Sequence, residues 1–321
     1  YWTQIRDGQS VIGMRDTPIP VPAAHQLLVK TRAAALNRGE FIALHGLVGD
    51  SAAIRAGIEA AGDIADIGPD VDGFQTGTRV MGRVNGAYAE YALMDAREAI
   101  PIPACMSWEQ AAATPITFSV VHDMLLGQGR MVAGDWLLVP GVSSGVGVAT
   151  LQTGKALGAR VIGTSRSADK LARLAPLGLD VPVVSHGADF HNAVMKATGE
   201  HGADLIVNTV GGTIFAECLR SLAFQGRMAI VGYLDRVLVS DIDLAALHAK
   251  RLCLYGVSNK LRDAAARAET TRGFIKDLLP AFADGRIQPM IDRVFAFDEM
   301  PEARRYMESD THTGKIVLRV A

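Results

Sequence analysis

The sequence has few cysteines, almost no net charge and no unbroken apolar stretch long enough to span a membrane. Its 321 residues hold three cysteines, Cys105, Cys218 and Cys253, with no CxxC or CxxxC pair. That spacing excludes a disulfide scaffold and a four-thiolate zinc site, and it makes a reducing cytoplasm the expected setting. Lys and Arg number 32 against 34 Asp and Glu, a formal charge of −2. A chain so balanced is not built to neutralise phosphate backbones, so nucleic acid is not an expected partner. The eight histidines form no HxxxH or HExxH pair, and no metal is expected from them. Residues 1–16 lack the apolar core of a secretory leader. The uncharged run 136–154 contains Pro140 and four glycines, too polar and broken for a lipid-facing helix. A buried strand running into a glycine turn and a helix accounts for it, and no membrane partner is expected.

Hydrophobic residues make up 49% and charged residues 21%, the balance of a globular chain, and its length suggests two domains. Residues 1–112 read as short β-rich pieces with turn punctuation: 26–37, 62–74 and 86–96. Val29, Thr31 and Ala33 alternate with Lys30 and Arg32, the period of a half-buried strand. Between 113 and 257, six candidate strands (135–140, 160–164, 180–184, 204–210, 227–232 and 252–256) alternate with helical stretches. That alternation points to a doubly wound parallel sheet. A charged helical segment and a closing strand at 314–320 follow. The expected α/β layout is a β-rich domain from 1–112 and 258–321, with 113–257 inserted as a parallel-sheet domain.

The stretch LLVPGVSSGVGVATLQTGKALG (137–158) passes from an apolar strand through a glycine turn into a helix. Free amides at the first helical turn and the positive end of the helix dipole suit a pyrophosphate, which makes Ser143, Ser144, Gly145, Val146 and Gly147 candidate cofactor ligands. The pattern departs from GxGxxG, since Val142 and Ser144 replace the first two glycines and Gly147 is retained. An ordinary strand–helix turn would look similar; the run of further strand–helix units favours the dinucleotide. A carboxylate at the end of the next strand would hold the ribose of NAD, but Thr164-Ser165-Arg166-Ser167 has none before Asp169. Ser165, Arg166 and Lys170 suit a 2′-phosphate instead, so the expected cofactor is NADPH. Taken singly, Arg166 or Lys170 is no more than a solvated helix start.

These residues resemble the medium-chain dehydrogenase/reductase superfamily, in particular its zinc-free, zeta-crystallin-like quinone oxidoreductase branch. The resemblance is carried by LNRGEF (36–41), GIEAAGDIADIGPDV (57–71), GAYAEYA (86–92), 143–167, NTVGG (208–212), GRMAIVGY (226–233) and GKIVL (314–318). It implies a GroES-like catalytic domain and a Rossmann domain with the active site in the cleft between them. It adds Thr117, Asn208, Val210, Gly232, Tyr233, Val257, Ser258 and Asn259 to the cofactor candidates. The last five also follow expected strands five and six, beyond whose carboxyl ends a ligand would lie. Zinc members carry Cys where this chain has Asn37 and GHE where it has Gly57-Ile58-Glu59, so a zinc alcohol dehydrogenase is not expected.

The resemblance implies NADPH-dependent reduction of a small-molecule electrophile, a quinone, enone or enoyl thioester, by a homodimer with an edge strand at 252–256. Asn37 is the candidate donor to a developing oxyanion, though it also reads as a turn residue. His45 is a candidate proton donor, with water as the other source. Ile42, Val120 and Ser185 stand where the family often has Tyr, Thr and Tyr. The first two keep a second function open: an NADPH-binding structural or sensing protein with little turnover.

Overall fold

The computed structural model describes residues 1–6, 9–41 and 53–320. The chain divides into two compact units, Tyr1–Ser119 with Asn259–Ala321, and Val120–Ser258. Both ends of the sequence therefore belong to one unit and the parallel-sheet segment forms the other.

In the first unit, β1 (Trp2–Arg6) and β2 (Gln9–Gly13) form a hairpin, and β3 (Gln26–Ala35) and the two-residue β4 (Ile54–Arg55) follow. Next come β5 (Glu59–Ile67), β6 (Arg79–Asn85) and β7 (Tyr91–Pro101). Strand β3 pairs antiparallel with β5 along its length and with β7 through residues 26–30, so β3-β5-β6-β7 closes on itself. Closure leaves those four strands no open edge. The alternation read from the sequence holds at Val29–Ala33, but Ala33, Ala34 and Ala35 are all buried. Here the closing strand pairs with β3 and a short helix, α1 (Trp108–Ala112), packs on it. The stretch 86–96 is not strand throughout. Gly86, Ala87 and Tyr88 donate their amides to Gly57 and Ala56 carbonyls, and β7 begins only at Tyr91.

Helix α2 (Pro115–His122) contains the boundary between the units. The second unit then builds β8 (Trp136–Pro140), α3 (Gly145–Ala156), β9 (Arg160–Ser165), α4 (Ala168–Leu174), β10 (Val181–Val184) and α5 (His191–Thr198). It continues with β11 (Ala203–Asn208), α6 (Phe215–Ser221), β12 (Leu222–Ile230), α7 (Leu244–Lys250) and β13 (Cys253–Gly256). The six strands are parallel in the order β10-β9-β8-β11-β12-β13, a doubly wound sheet whose strand order reverses between β8 and β11. All six expected strands are present. Strand β12 starts five residues early, because the register jumps from Ala203–Leu222 to Leu205–Arg227 and the intervening residues bulge, with Gln225 at φ 59°. Among the described residues no helix is long and apolar enough to cross a membrane.

The chain returns to the first unit with α8 (Ala264–Asp277), α9 (Leu279–Ala283), β14 (Ile291–Ala296), α10 (Met300–Glu308) and β15 (Lys315–Arg319). Strand β15 pairs antiparallel with the C-terminal half of β3, Val317 opposite Ala35, and parallel with β14.

Two close approaches shape the glycine turn. A Cβ on Gly147 would stand 2.6 Å from the Gly141 and Val142 carbonyl oxygens, and one on Gly163 would stand 2.8 Å from Val142 Cγ1. The bulk of Val142 is thus accommodated by the missing side chain of the next strand. Gly163→Ala is expected to destabilise the protein by about 1–3 kcal/mol through overpacking. Adding Val142→Ala should recover part of that loss, and a urea-unfolding double-mutant cycle with no coupling between the two sites would refute the shared contact.

Candidate active site

The turn after β8 lies where the strand order reverses. Ser144 caps α3, its hydroxyl accepting from the Gly147 amide at 3.1 Å, while its own amide donates to the Gly141 carbonyl at 3.0 Å. The amides of Ser143, Gly145 and Val146 have no partner among the described residues. Three N–H groups without a described partner at the positive end of a 12-residue helix could hold a phosphate group. Strand β9 lies beside β8 and ends at Ser165, so Ser165 and Arg166 stand at the same edge of the sheet as the turn. Arg166 is exposed, and no carboxylate precedes Asp169 on α4. Lys170 lies on α4, and its amide donates to the capping hydroxyl of Ser167.

The remaining candidates of this unit follow other strands at that edge, Asn208 and Val210 after β11, Gly232 and Tyr233 after β12, Val257 and Ser258 after β13. Asn208 is buried and its side chain builds the turn. Its Oδ1 accepts from the amides of Val210 and Gly211 at 3.0 and 2.9 Å, and its Nδ2 donates to the Gly211 carbonyl. It therefore shapes the loop that carries Val210. Thr117 and Asn259 belong to the other unit, where Thr117 is buried in the first turn of α2. His45 and Ile42 lie outside the described residues.

In the first unit Asn37 follows β3 and sits in a network of buried charges. Its Nδ2 donates to Glu40 Oε1 at 3.1 Å and to Glu59 Oε1 at 2.9 Å, and its Oδ1 accepts from Lys315 Nζ at 2.8 Å. Lys315 also donates to Glu59 Oε1 at 2.7 Å and to the Leu36 carbonyl at 3.0 Å. Glu59 Oε2 takes the Ile116 amide at 2.9 Å, and Tyr88 donates to Glu40 Oε1 at 3.2 Å. Both amide hydrogens of Asn37 are engaged, so donation to an oxyanion would replace one of these bonds. Sequence reasoning missed Glu40, Tyr88 and Lys315. NRGEF and GKIVL were visible as motifs, but nothing local indicated that they meet.

The same atoms offer little to a zinc ion at this position. The only Asn37 atom able to ligate a metal already faces an ammonium, and Ile58 offers no donor. Among the described residues no group of three His, Cys, Asp or Glu side chains could hold a metal ion.

Burial pushes the Glu40 carboxyl up to about 7. The Asn37 hydrogen bond opposes that shift, the Glu59 charge reinforces it, and Lys315 and Tyr88 pull the other way. A carboxyl whose folded pKa exceeds its unfolded value holds its proton more tightly when folded. Its contribution is complete below about pH 4.5 and is lost as pH rises through about 7. The stability of the wild type relative to Glu40→Gln should therefore fall by roughly 2–3 kcal/mol between pH 5 and 8. Parallel curves for the two proteins in urea unfolding would show that Glu40 does not titrate in this range.

Comparison with known proteins places both units. The alcohol dehydrogenase GroES-like domain matches residues 23–104 and the zinc-binding dehydrogenase domain matches 145–270. The spectinabilin polyketide synthase system protein NorB of Streptomyces orinoci is 31% identical over 307 residues, 94% of this chain but 14% of that one. The chain thus spans about a seventh of the length of that relative. The quinone oxidoreductase of Rattus norvegicus is 27% identical over 308 residues, covering 94% of this chain and 92% of the rat protein. Among solved structures, mycobacterial Rv1454c in complex with NADPH superposes with a TM-score of 0.84 at 27% identity, covering 95% of this chain and 94% of that one. With a closed GroES-like β-domain, an inserted doubly wound sheet and matches to both domain families, the chain belongs to the medium-chain dehydrogenase/reductase superfamily.

Proposed function

We propose that this chain is an NADPH-dependent, metal-independent reductase of quinones or α,β-unsaturated carbonyls. The observation that carries the reading is the turn after β8, with three amides free of described partners, beside a β9 that ends in Ser165-Arg166 with no carboxylate. The amides of Ser143, Gly145 and Val146 hold the pyrophosphate, and Arg166 with the Ser165 hydroxyl holds the 2′-phosphate. The NADPH-bound state of Rv1454c and the activity named for the rat relative support the same assignment. Bound NADPH supplies the hydride. In the first unit, Asn37 steadies the developing substrate oxygen by giving up its bond to Glu40. That exchange is cheap below about pH 7, where Glu40, with a pKa of about 7, is mostly neutral and accepts a hydrogen bond less strongly. The balancing proton comes from water or from His45.

The working form is proposed to be a cytoplasmic homodimer. Strand β13 is an edge of the six-stranded sheet, and the segment before α7 exposes Leu238 at 70% and Val239 at 85%. An open edge strand and exposed apolar side chains each favour association with a second copy. Light scattering at low concentration should give twice 34.1 kDa; a single-chain mass would refute the dimer.

NADPH oxidation with a quinone, an enone, an enoyl thioester and an aldehyde tests the activity. Turnover is expected for one of the first three, and binding without turnover of any would instead mark a sensing or structural protein. Arg166→Ala should weaken NADPH binding by about 1–3 kcal/mol, the worth of a charged hydrogen bond, and leave NADH nearly unchanged. Equal losses for both cofactors in a fluorescence titration would overturn the role given to Arg166.

A further inference from the structure

A second polar site lies in the first unit, in a pocket between β6, β7, α2 and α8. The apolar Ile100, Pro115 and Ile116 line it together with two guanidinium groups, Arg83 and Arg267, and the carboxylate of Glu98. The cavity measures about 30 Å³, and since a single water needs roughly 10–15 Å³ of such space, it accommodates a group of two or three heavy atoms.

The side chains lining the cavity carry two positive charges, Arg83 and Arg267, against one carboxylate, Glu98. Arg267 donates through Nε to Glu98 Oε1 at 2.8 Å and through Nη1 to the Arg262 carbonyl at 2.7 Å. Glu59 is paired with Lys315 at 2.7 Å, and Glu40, at about 7, is largely neutral below that pH. The Arg83 side chain is partly buried and makes no hydrogen bond or ion pair with any described residue. Burial first, and then the Arg267 charge, pull its pKa down, against Glu98, Glu40 and Glu59. A guanidinium does not deprotonate in a protein, so an entering anion would meet a full positive charge. The fork geometry of guanidinium suits a planar carboxylate held by two parallel hydrogen bonds, and the cavity is sized for one.

The pocket shares a wall with the Asn37 network. Ile116 lines it, and the Ile116 amide donates to Glu59 Oε2 at 2.9 Å. We infer that the Arg83–Arg267 pocket binds a carboxylate carried by the substrate, so that the electrophile reduced by this chain is an unsaturated carbonyl compound bearing a free acid. This deepens the reductase reading and rests on it for the identity of the reacting group. The anion site itself does not depend on turnover.

The test uses 4-oxopent-2-enoate and its methyl ester as matched probes, with the full chain and no cofactor, and reads binding by calorimetry. The acid is expected to bind at least tenfold more tightly than the ester. Arg83→Met should bring that ratio close to one, while Arg83→Lys, which keeps the charge but not the fork, should retain part of it. Circular dichroism establishes that each variant is folded. Equal binding of acid and ester by the wild type, or an unchanged ratio in folded Arg83→Met, would overturn the inference. Inorganic phosphate displacing the acid at equal concentration would also overturn it, since the pocket would then be a general anion site. If the acid preference and its loss are found but NADPH oxidation is absent, the carboxylate site stands and the reductase reading fails.

Discussion

The buried pair of Lys315 and Glu59 is the interaction on which the first unit depends. One carboxylate from the start of β5 receives the ammonium of β15, the amide of Asn37 after β3 and the backbone N–H of Ile116 in α2. Four separate parts of the chain meet at two oxygens. The lysine completes its own shell with the Leu36 carbonyl and Asn37 Oδ1. Such a pair adds little net stability compared with apolar residues of the same shape. Removing one partner, however, strands the other and costs roughly 3–5 kcal/mol. Its value is in specifying the arrangement: Asn37 has one orientation because its donors and its acceptor face opposite charges.

Glu40 draws its chemistry from the same constraint. It is 5% exposed and lies near the Glu59 carboxyl, which pairs with Lys315. A second full negative charge is therefore disfavoured there, and the carboxyl is left near neutrality. The second unit is organised by backbone groups instead, at the junction of β8 with α3. There the protein offers amides and a helix end to the phosphates proposed to bind.

Much of the second unit was legible in the sequence, because strand and helix periods are local properties. The six strands, the glycine turn at 141–147 and the missing acid after Ser165 could each be read within a few neighbouring residues. Local reading failed where structure depends on pairing at a distance. The bulge at 223–226 arises from the register between β11 and β12, and the turn at 86–90 from bonds to Ala56 and Gly57. The chemistry of the first unit was less legible for the same reason. Glu40, Lys315 and Arg83 acquire meaning only when β3, β5, β6 and β15 are side by side. Asn37 was found in the sequence, but its two carboxylate partners were not. Asn208 was read as a cofactor residue, whereas its polar atoms are spent on its own turn.

The position of Lys315 also sets an order of events during synthesis. Asn37 and Glu59 leave the ribosome well before the lysine that neutralises Glu59, which follows 256 residues behind it. At about 5–20 residues per second this delay is on the order of 15–50 s. During that interval Glu59 has no counter-ion, and β3 lacks the strand that pairs with its C-terminal half. The β-domain then stays open along that seam while the parallel-sheet unit, whose strands are contiguous in sequence, has all the residues it needs. Closure of the first unit must wait for β15, and a nascent chain stalled before β15 would expose the unpaired half of β3 to other chains.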